Sequence, residues 1–286
     1  MQRAFGLDIP QTLDEVCNFT RLALVVYDMQ VGIVKQIENG QQITDKVAQV
    51  LAAARKAGIR VFFTRHMSLP KELMGMSQFR TAMAWQRVKS PDEVKPWFLR
   101  DAPGFHLITE MNPLPSEAIF DKITMSAFEG TPLDIALRDC DIDAFAIVGI
   151  AMEIGIEPTV RQGADLGYIP IVVKDACGFG HRDAAERSIA SLEFAGDALA
   201  YERRYIPCSA WAQPLRVSGS RRAARLARYK VLPFRREKAA HGPTPPGKDQ
   251  TPYRFDGLNH GDSPAIVRSR SQSTRRAVAF FNSGCE

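Results

Sequence analysis

The stretch Phe145-Ala-Ile-Val-Gly149-Ile-Ala-Met-Glu153-Ile-Gly155-Ile-Glu157-Pro-Thr159 runs on through Val160 to Gly167. It closes with Tyr168-Ile-Pro-Ile-Val-Val-Lys-Asp175-Ala176. An apolar run ends at Gly149, a tight turn leads into a helical segment ending at Gly167, and a second apolar run ends at Asp175. Strand, turn, helix and parallel strand within about thirty residues is the size of a βαβ unit. Chemistry in an open parallel sheet collects at the C-terminal ends of its strands. The turn between Gly149 and Gly155 is therefore the first place to look for a site.

The same alternation extends in both directions. Leu22-Ala-Leu-Val-Val-Tyr27 is a continuous apolar run, as expected of a strand covered on both faces. Helical periodicity over Ile43 to Ala57 stops at Gly58, and Ile59–Phe63 is a second strand that ends at Thr64-Arg-His66. Ala118–Lys122 is a short third strand. Thr131 opens a helix to Asp139, Phe145–Gly149 is the fourth strand and Ile169–Asp175 the fifth. Asp183 opens a last helix that ends near Leu192–Phe194. The pattern predicts an α/β fold, a parallel sheet with helices on both faces in three layers. Upstream, Ile9-Pro10 reads as extended and Thr12-Leu-Asp-Glu15 as the cap of a short helix. Residues 67–115 carry Met67, Trp85 and Trp97 among six prolines. They read as a long cover with one helix near Met76–Val88.

The net charge of +5 is unevenly spread. Residues 201–286 hold 17 basic and 6 acidic side chains, which leaves 20 basic against 26 acidic in residues 1–200. The chain is thus read as an acidic domain over 1–200 and a basic, disordered tail over 201–286. The abrupt change also suggests an altered reading frame or a truncated domain lacking its last strand. The tail has no aromatic-interleaved basic motif, so nucleic acid is not an expected partner. No apolar run is long enough for a membrane span. The five cysteines are scattered and include no Cys-x-x-Cys pair, which suggests a reducing, cytoplasmic setting with neither disulfides nor a zinc site. No cofactor is expected. The expected partner is a small-molecule substrate, with a homo-oligomer left open.

Three strand ends present polar groups together: Asp28, Lys122 and the Gly149–Gly155 turn. Parallel strands lie roughly 5 Å apart, so these ends can converge on one pocket, where Asp and Lys would tune each other's charge state. Asp28-Met-Gln30, Lys122-Ile-Thr-Met-Ser-Ala-Phe128, Gly149–Gly155 and Asp175-Ala176 fall in an order and spacing that resembles the isochorismatase-like hydrolase superfamily. That superfamily also includes nicotinamidases and N-carbamoylsarcosine amidases. The likeness covers roughly residues 10–200.

The resemblance implies a parallel sheet, usually six-stranded, with Asp28 and Lys122 as two of three catalytic residues. The amidase members place a nucleophilic cysteine at the start of the helix after the fourth strand, and here that position is Gly155. Glycine has no side chain to attack with. Isochorismatases proper, which cleave a vinyl ether, resemble this chain in having glycine there. The function implied is cysteine-independent hydrolysis of a small anionic metabolite. Asp28 would be the general acid and Lys122 the group that orients the substrate, while backbone N–H groups near Gly155 receive an anionic group. Gln30, His66, Ser126, Ala151 and Glu153 complete the expected substrate-binding set. Arg80 and Arg87 are further candidates for a carboxylate, and Cys177 for a stray thiol. Nicotinamidases carry an Asp-x-His…His metal site that Thr64-Arg-His66 does not reproduce, so no metal is expected. The alternatives are a non-catalytic relative that binds a small molecule or protein, or a truncated, inactive product.

Overall fold

The structure, a computed structural model, describes residues 1–19 and 22–203. A hairpin of β1 (Gln2–Ala4) and β2 (Leu7–Ile9) pairs antiparallel, with Gln2 opposite Ile9. The sequence reading took these residues as a plain extended approach. Helix α1 (Leu13–Phe19) follows, its Glu15 N–H donating to the Thr12 hydroxyl at 3.3 Å. Glu15 reaches back to accept the Gln11 N–H at 2.7 Å, so the capping residues act as read.

The remaining elements are β3 (Leu22–Tyr27), the short α2 (Val31–Val34), α3 (Gly40–Lys56), β4 (Arg60–His66), α4 (Met76–Gln86), β5 (Ala118–Lys122) and α5 (Leu133–Asp139). They continue with β6 (Ala144–Ile150), α6 (Glu157–Asp165), β7 (Ile169–Gly178), α7 (Arg182–Ala195) and β8 (Leu199–Tyr201). Six strands form one parallel sheet in the order β5-β4-β3-β6-β7-β8. The suspected loss of a last strand is corrected here: β8 pairs Leu199 with Ile171 and Tyr201 with Val173. It is only three residues long, too short to show as a run in the sequence, and it crosses the boundary drawn at residue 200. The expected tail, apart from Tyr201, Glu202 and Arg203, lies outside the described residues.

Side-chain alternation along the strands divides the core. Leu24 and Val26 of β3, with Ala146 and Val148 of β6, point toward α1 and α3, where Val16, Val47 and Leu51 meet them. Val25, Tyr27, Phe145 and Ile147 point the other way, against Leu137 of α5, Val160 of α6 and Leu192 of α7. The central strands therefore read as unbroken apolar runs because both faces are covered. In β7 the register against β6 slips between Ile147 and Gly149: Val172 faces Ile147, but Cys177 faces Gly149. The extra residues bow out as a bulge. Asp175 on that bulge accepts the backbone N–H of Arg203 at 2.6 Å, away from the strand ends that carry Asp28 and Lys122.

Helix α4 stops two residues earlier than the periodicity predicts, because Arg87 turns into the left-handed region at φ 53°. Gln86 ties this helix to the segment after it, donating to the Lys95 carbonyl at 2.7 Å and accepting the Lys95 N–H at 2.9 Å. Ser68 N–H donates to Phe98 O at 2.9 Å. The cover over residues 67–115 is thus a folded cap held by its own hydrogen bonds.

The sheet's tightest approach is at the end of β6. Gly149 sits at φ +122°, directly opposite Tyr27, and a Cβ there would lie 2.8 Å from the Tyr27 carbonyl carbon. Neither the backbone angle nor the space admits a side chain. Gly149→Ala should lower stability by about 3 kcal/mol, combining backbone strain with overpacking. A urea midpoint unchanged from the parent protein would contradict that.

Candidate active site

Asp28 leaves β3 at φ 47°, a left-handed turn that aspartate tolerates better than most residues. Its carboxylate is nearly buried, and both oxygens accept: Oδ1 from the Thr64 hydroxyl at 2.6 Å and Oδ2 from Lys122 Nζ at 2.7 Å. Thr64 lies near the end of β4, between the strands that carry the pair. Its hydroxyl also receives the Asp28 N–H at 3.3 Å. The sequence reading passed over Thr64, and its place at a strand end beside Asp28 was the available signal.

Lys122 is fully engaged. Its ammonium donates to Asp28 Oδ2, to the Tyr27 hydroxyl at 2.7 Å and to the Thr124 carbonyl at 3.1 Å. Three N–H groups meet three acceptors. Burial pushes the Lys122 pKa below its usual value, and the Asp28 charge and hydrogen bond oppose that shift. Burying an ion pair is costly unless its remaining hydrogen-bonding positions are satisfied, and here they are.

Tyr27 is a second residue that sequence reasoning missed. It ends an otherwise aliphatic strand and is buried against the sheet. Its hydroxyl accepts from Lys122 and donates to the Met125 carbonyl. Burial, then the neighbouring Asp28 charge, hold the phenol well above its ordinary pKa, so it stays protonated. A Cβ built on Gly155 would fall on this hydroxyl and lie 2.6 Å from ring carbon Cε1. The tyrosine fills the space that a side chain at position 155 would need. The only sequence signal was a polar aromatic at the end of the apolar run before Asp28.

The turn over Met152–Ile156 is a short π-type turn, preceded by a cis peptide between Ile150 and Ala151. The N–H groups of Gly155 and Ile156 both donate to the Ala151 carbonyl at 3.1 Å. The expectation that N–H groups near Gly155 stand open for an anion is therefore corrected at these two positions: the turn consumes them. Ala151 contributes this carbonyl to the turn.

Other expected binding residues prove to hold backbone. The Gln30 side chain donates to the carbonyls of His66 (3.0 Å) and Phe105 (2.8 Å) and accepts the His66 N–H at 2.6 Å. It fastens the end of β4 to the cap. Glu153 Oε1 accepts the N–H groups of Gly180 and His181, both at 2.8 Å, and so binds the loop before α7. The Ser126 hydroxyl accepts the Phe128 N–H at 3.2 Å and shapes its own turn. Thr159, also unremarked in the sequence, donates to Gly155 O at 2.7 Å and accepts the Ala127 N–H at 2.9 Å. Arg80 and Arg87 are exposed and outside the cavity lining. Cys177 lies inside β7 rather than after it, and burial raises its thiol pKa far above the usual range. Burial similarly pushes Cys17 up to about 11.

A cavity of about 460 Å³ opens beside the cluster, walled by Met67, Met74, Trp85, Trp97 and Phe98, with Thr124 and Met125 among its lining. The carbonyls of those last two residues hold Lys122 and Tyr27, which places the cavity beside the Asp28–Lys122 cluster. His66 also lines it, with Phe98 edge-on at 5.8 Å. Burial and the Lys122 charge push this imidazole down to about 4, so it is neutral at pH 7. Among the described residues, no group of three or more His, Cys, Asp or Glu side chains could hold a metal ion. No described helix is long and apolar enough to cross a membrane.

The Isochorismatase domain family model matches residues 22–201. The chain is a hydrolase of the isochorismatase family. Ureidoacrylate amidohydrolase RutB of Cronobacter sakazakii is 27% identical over 169 residues, spanning 54% of this chain and 73% of that protein. The isochorismatase family protein YecD of Escherichia coli O157:H7 is 27% identical over 179 residues, or 60% of this chain and 87% of its own length. Among solved structures, a cysteine hydrolase from Pseudomonas syringae pv. phaseolicola superposes with a TM-score of 0.57 at 22% identity. The match covers 73% of this chain and 100% of that one. That likeness shows the shared three-layer fold.

The depressed His66 pKa has a measurable consequence. The unfolded chain protonates this imidazole near 6.5, the folded chain only near 4. Between those values the unfolded state binds more protons, so stability falls as pH falls. The His66 share should be on the order of 3 kcal/mol by pH 4. His66→Gln should lose less stability than the parent between pH 7 and pH 4.5, measured by urea unfolding. Parallel losses would show that the folded-state His66 pKa is not depressed.

Proposed function

We propose that this isochorismatase-family hydrolase works without a thiol, with Asp28 moving the proton and water attacking. The observation that carries this reading is the occupation of the space over Gly155 by Tyr27 while the Asp28–Lys122 pair stands intact. With no nucleophilic side chain at position 155, and with Cys17 and Cys177 held as buried thiols, acyl-thioester chemistry has no support in these residues.

A vinyl ether suits the remaining groups. As the general acid, Asp28 carries a proton when substrate is bound, and Lys122 remains an ammonium. Protonated Asp28 then gives that proton to the terminal methylene carbon, using the electrons of the C=C bond. The ether carbon becomes an oxocarbenium centre. Water adds there and returns a proton to the Asp28 carboxylate, and the hemiketal collapses to a ketone and an alcohol. A substrate carboxylate reaches Lys122 by replacing the Thr124 carbonyl, the longest of its three hydrogen bonds. The cavity wall is chiefly apolar and aromatic, with Lys95 the only cationic side chain lining it among the described residues. This favours a substrate with a flat apolar body and its charge at the Lys122 end.

A second reading is favoured by the saturation of Lys122, whose three hydrogens are all taken within the chain. In that reading the protein binds a small molecule in the cavity without turning it over.

Isochorismate is the probe that separates these readings. Pyruvate should be released, activity should survive iodoacetamide, and Asp28→Asn should lower kcat by about 10²–10⁴-fold. Binding measured by calorimetry without pyruvate release would favour the second reading. Loss of activity on thiol blocking would refute the thiol-free mechanism.

A further inference from the structure

Position 155 and position 27 compete for one volume. In this chain the glycine cedes it, and a phenol from the neighbouring strand occupies it. That phenol is not an inert filler. Its oxygen receives one of three Lys122 hydrogens, and its own proton goes to the carbonyl of Met125, a residue on the cavity wall. An aliphatic side chain at position 27 would fill space but leave Lys122 with an unmet donor in a buried setting.

We propose that Tyr27 is the third member of the reacting cluster. It is a positioning residue that fixes the Lys122 ammonium against Asp28, in the volume that a side chain at position 155 would otherwise claim. The inference rests on the reading of Asp28 and Lys122 as the reacting pair. It adds a residue that none of the motif positions contains. Two consequences follow from the geometry. Tyr27 and Gly155 must change together, because neither a bulkier residue at 155 nor a loss of bulk at 27 is tolerated alone. And Lys122 depends on the Tyr27 oxygen for its protonation state. The other charged or titratable groups that face Lys122 are Asp28 at the end of β3 and His66 at the end of β4. His66 is neutral at pH 7, so Asp28 supplies the opposing charge and Tyr27 the neutral acceptor.

The test needs no substrate. In full-length protein carrying ¹⁵N-lysine, the Lys122 Nζ resonance is assigned by its loss in Lys122→Met and titrated in the parent and in Tyr27→Phe. Phenylalanine keeps the ring and removes only the oxygen. The Lys122 titration should move down by roughly one to two pH units, the size of one hydrogen bond to a charged group. An unchanged midpoint would reduce Tyr27 to packing and overturn the proposal. A parallel stability cycle checks the shared volume. Gly155→Ala should lower Tm by about 5 °C or more with Tyr27 present, or prevent folding. The same change in Tyr27→Val should be neutral or favourable. Additive effects would contradict the shared volume. Both readouts are independent of turnover, so an inactive protein with a shifted Lys122 titration would sink the catalytic reading and leave the positioning role standing.

Discussion

Everything at this site depends on keeping one ion pair out of water. Lys122 and Asp28 are almost wholly buried at the ends of strands β5 and β3, with β4 between them. Charges so placed lose several kcal/mol of hydration each, and mutual attraction alone does not reliably repay it. The surrounding residues make the pair tenable by leaving no polar position idle. Thr64 takes the second carboxylate oxygen, Tyr27 and the Thr124 carbonyl take the remaining ammonium hydrogens, and Met125 takes the phenol's. Removing one partner from such a cluster typically costs about 3–5 kcal/mol, because the other charge is stranded. That cost explains why so much nearby polarity faces inward rather than toward the cavity.

The elements around the pair are fastened in a chain. Gln30 binds the end of β4 to the cap. Thr159 links the Gly155 carbonyl to the loop carrying Met125, and Glu153 links the π-type turn to the loop before α7. Each of these residues sits in or beside a motif, and each uses its side chain on backbone. Groups held within tenths of an ångström of their working geometry need this kind of support. The turn's own N–H groups, spent on the Ala151 carbonyl, belong to the same economy of satisfied donors.

Legibility from sequence followed the range of the interaction. Strands β3, β4, β6 and β7 were readable because strands covered on both faces must be continuously apolar. Asp28 and Lys122 were readable because strand ends in a parallel sheet converge, and because the spacing resembled a known family. What escaped was set by contacts across the sheet. Whether Gln30 faces a ligand or the His66 backbone is decided 36 residues away in the chain, and no local pattern records it. The occupant of the space over Gly155 was hidden for the same reason. Tyr27 reads locally as one more strand residue, and its meaning appears only when Tyr27 and Gly149 pair and the turn folds back above them. β8 and the β1–β2 hairpin, at three residues per strand, offer too few positions for any period to show.

The glycine at 155 therefore carries a different meaning from a simple deletion of function. A missing side chain in a packed interior leaves a void, and a void beside a buried ion pair would invite water or collapse. Neither occurs, because the phenol of Tyr27 occupies the volume and supplies an acceptor as well. A thiol at that place would have offered a nucleophile, which a tyrosine held protonated does not. The exchange puts a closed hydrogen-bond network around the Asp28–Lys122 ion pair where a side chain at position 155 would have stood. In the thiol-free mechanism proposed above, the nucleophile is water that reaches the pair from the cavity. Trp85, Trp97 and Phe98 stand in the wall of that cavity, with the Trp97 and Phe98 rings nearly perpendicular at 84°.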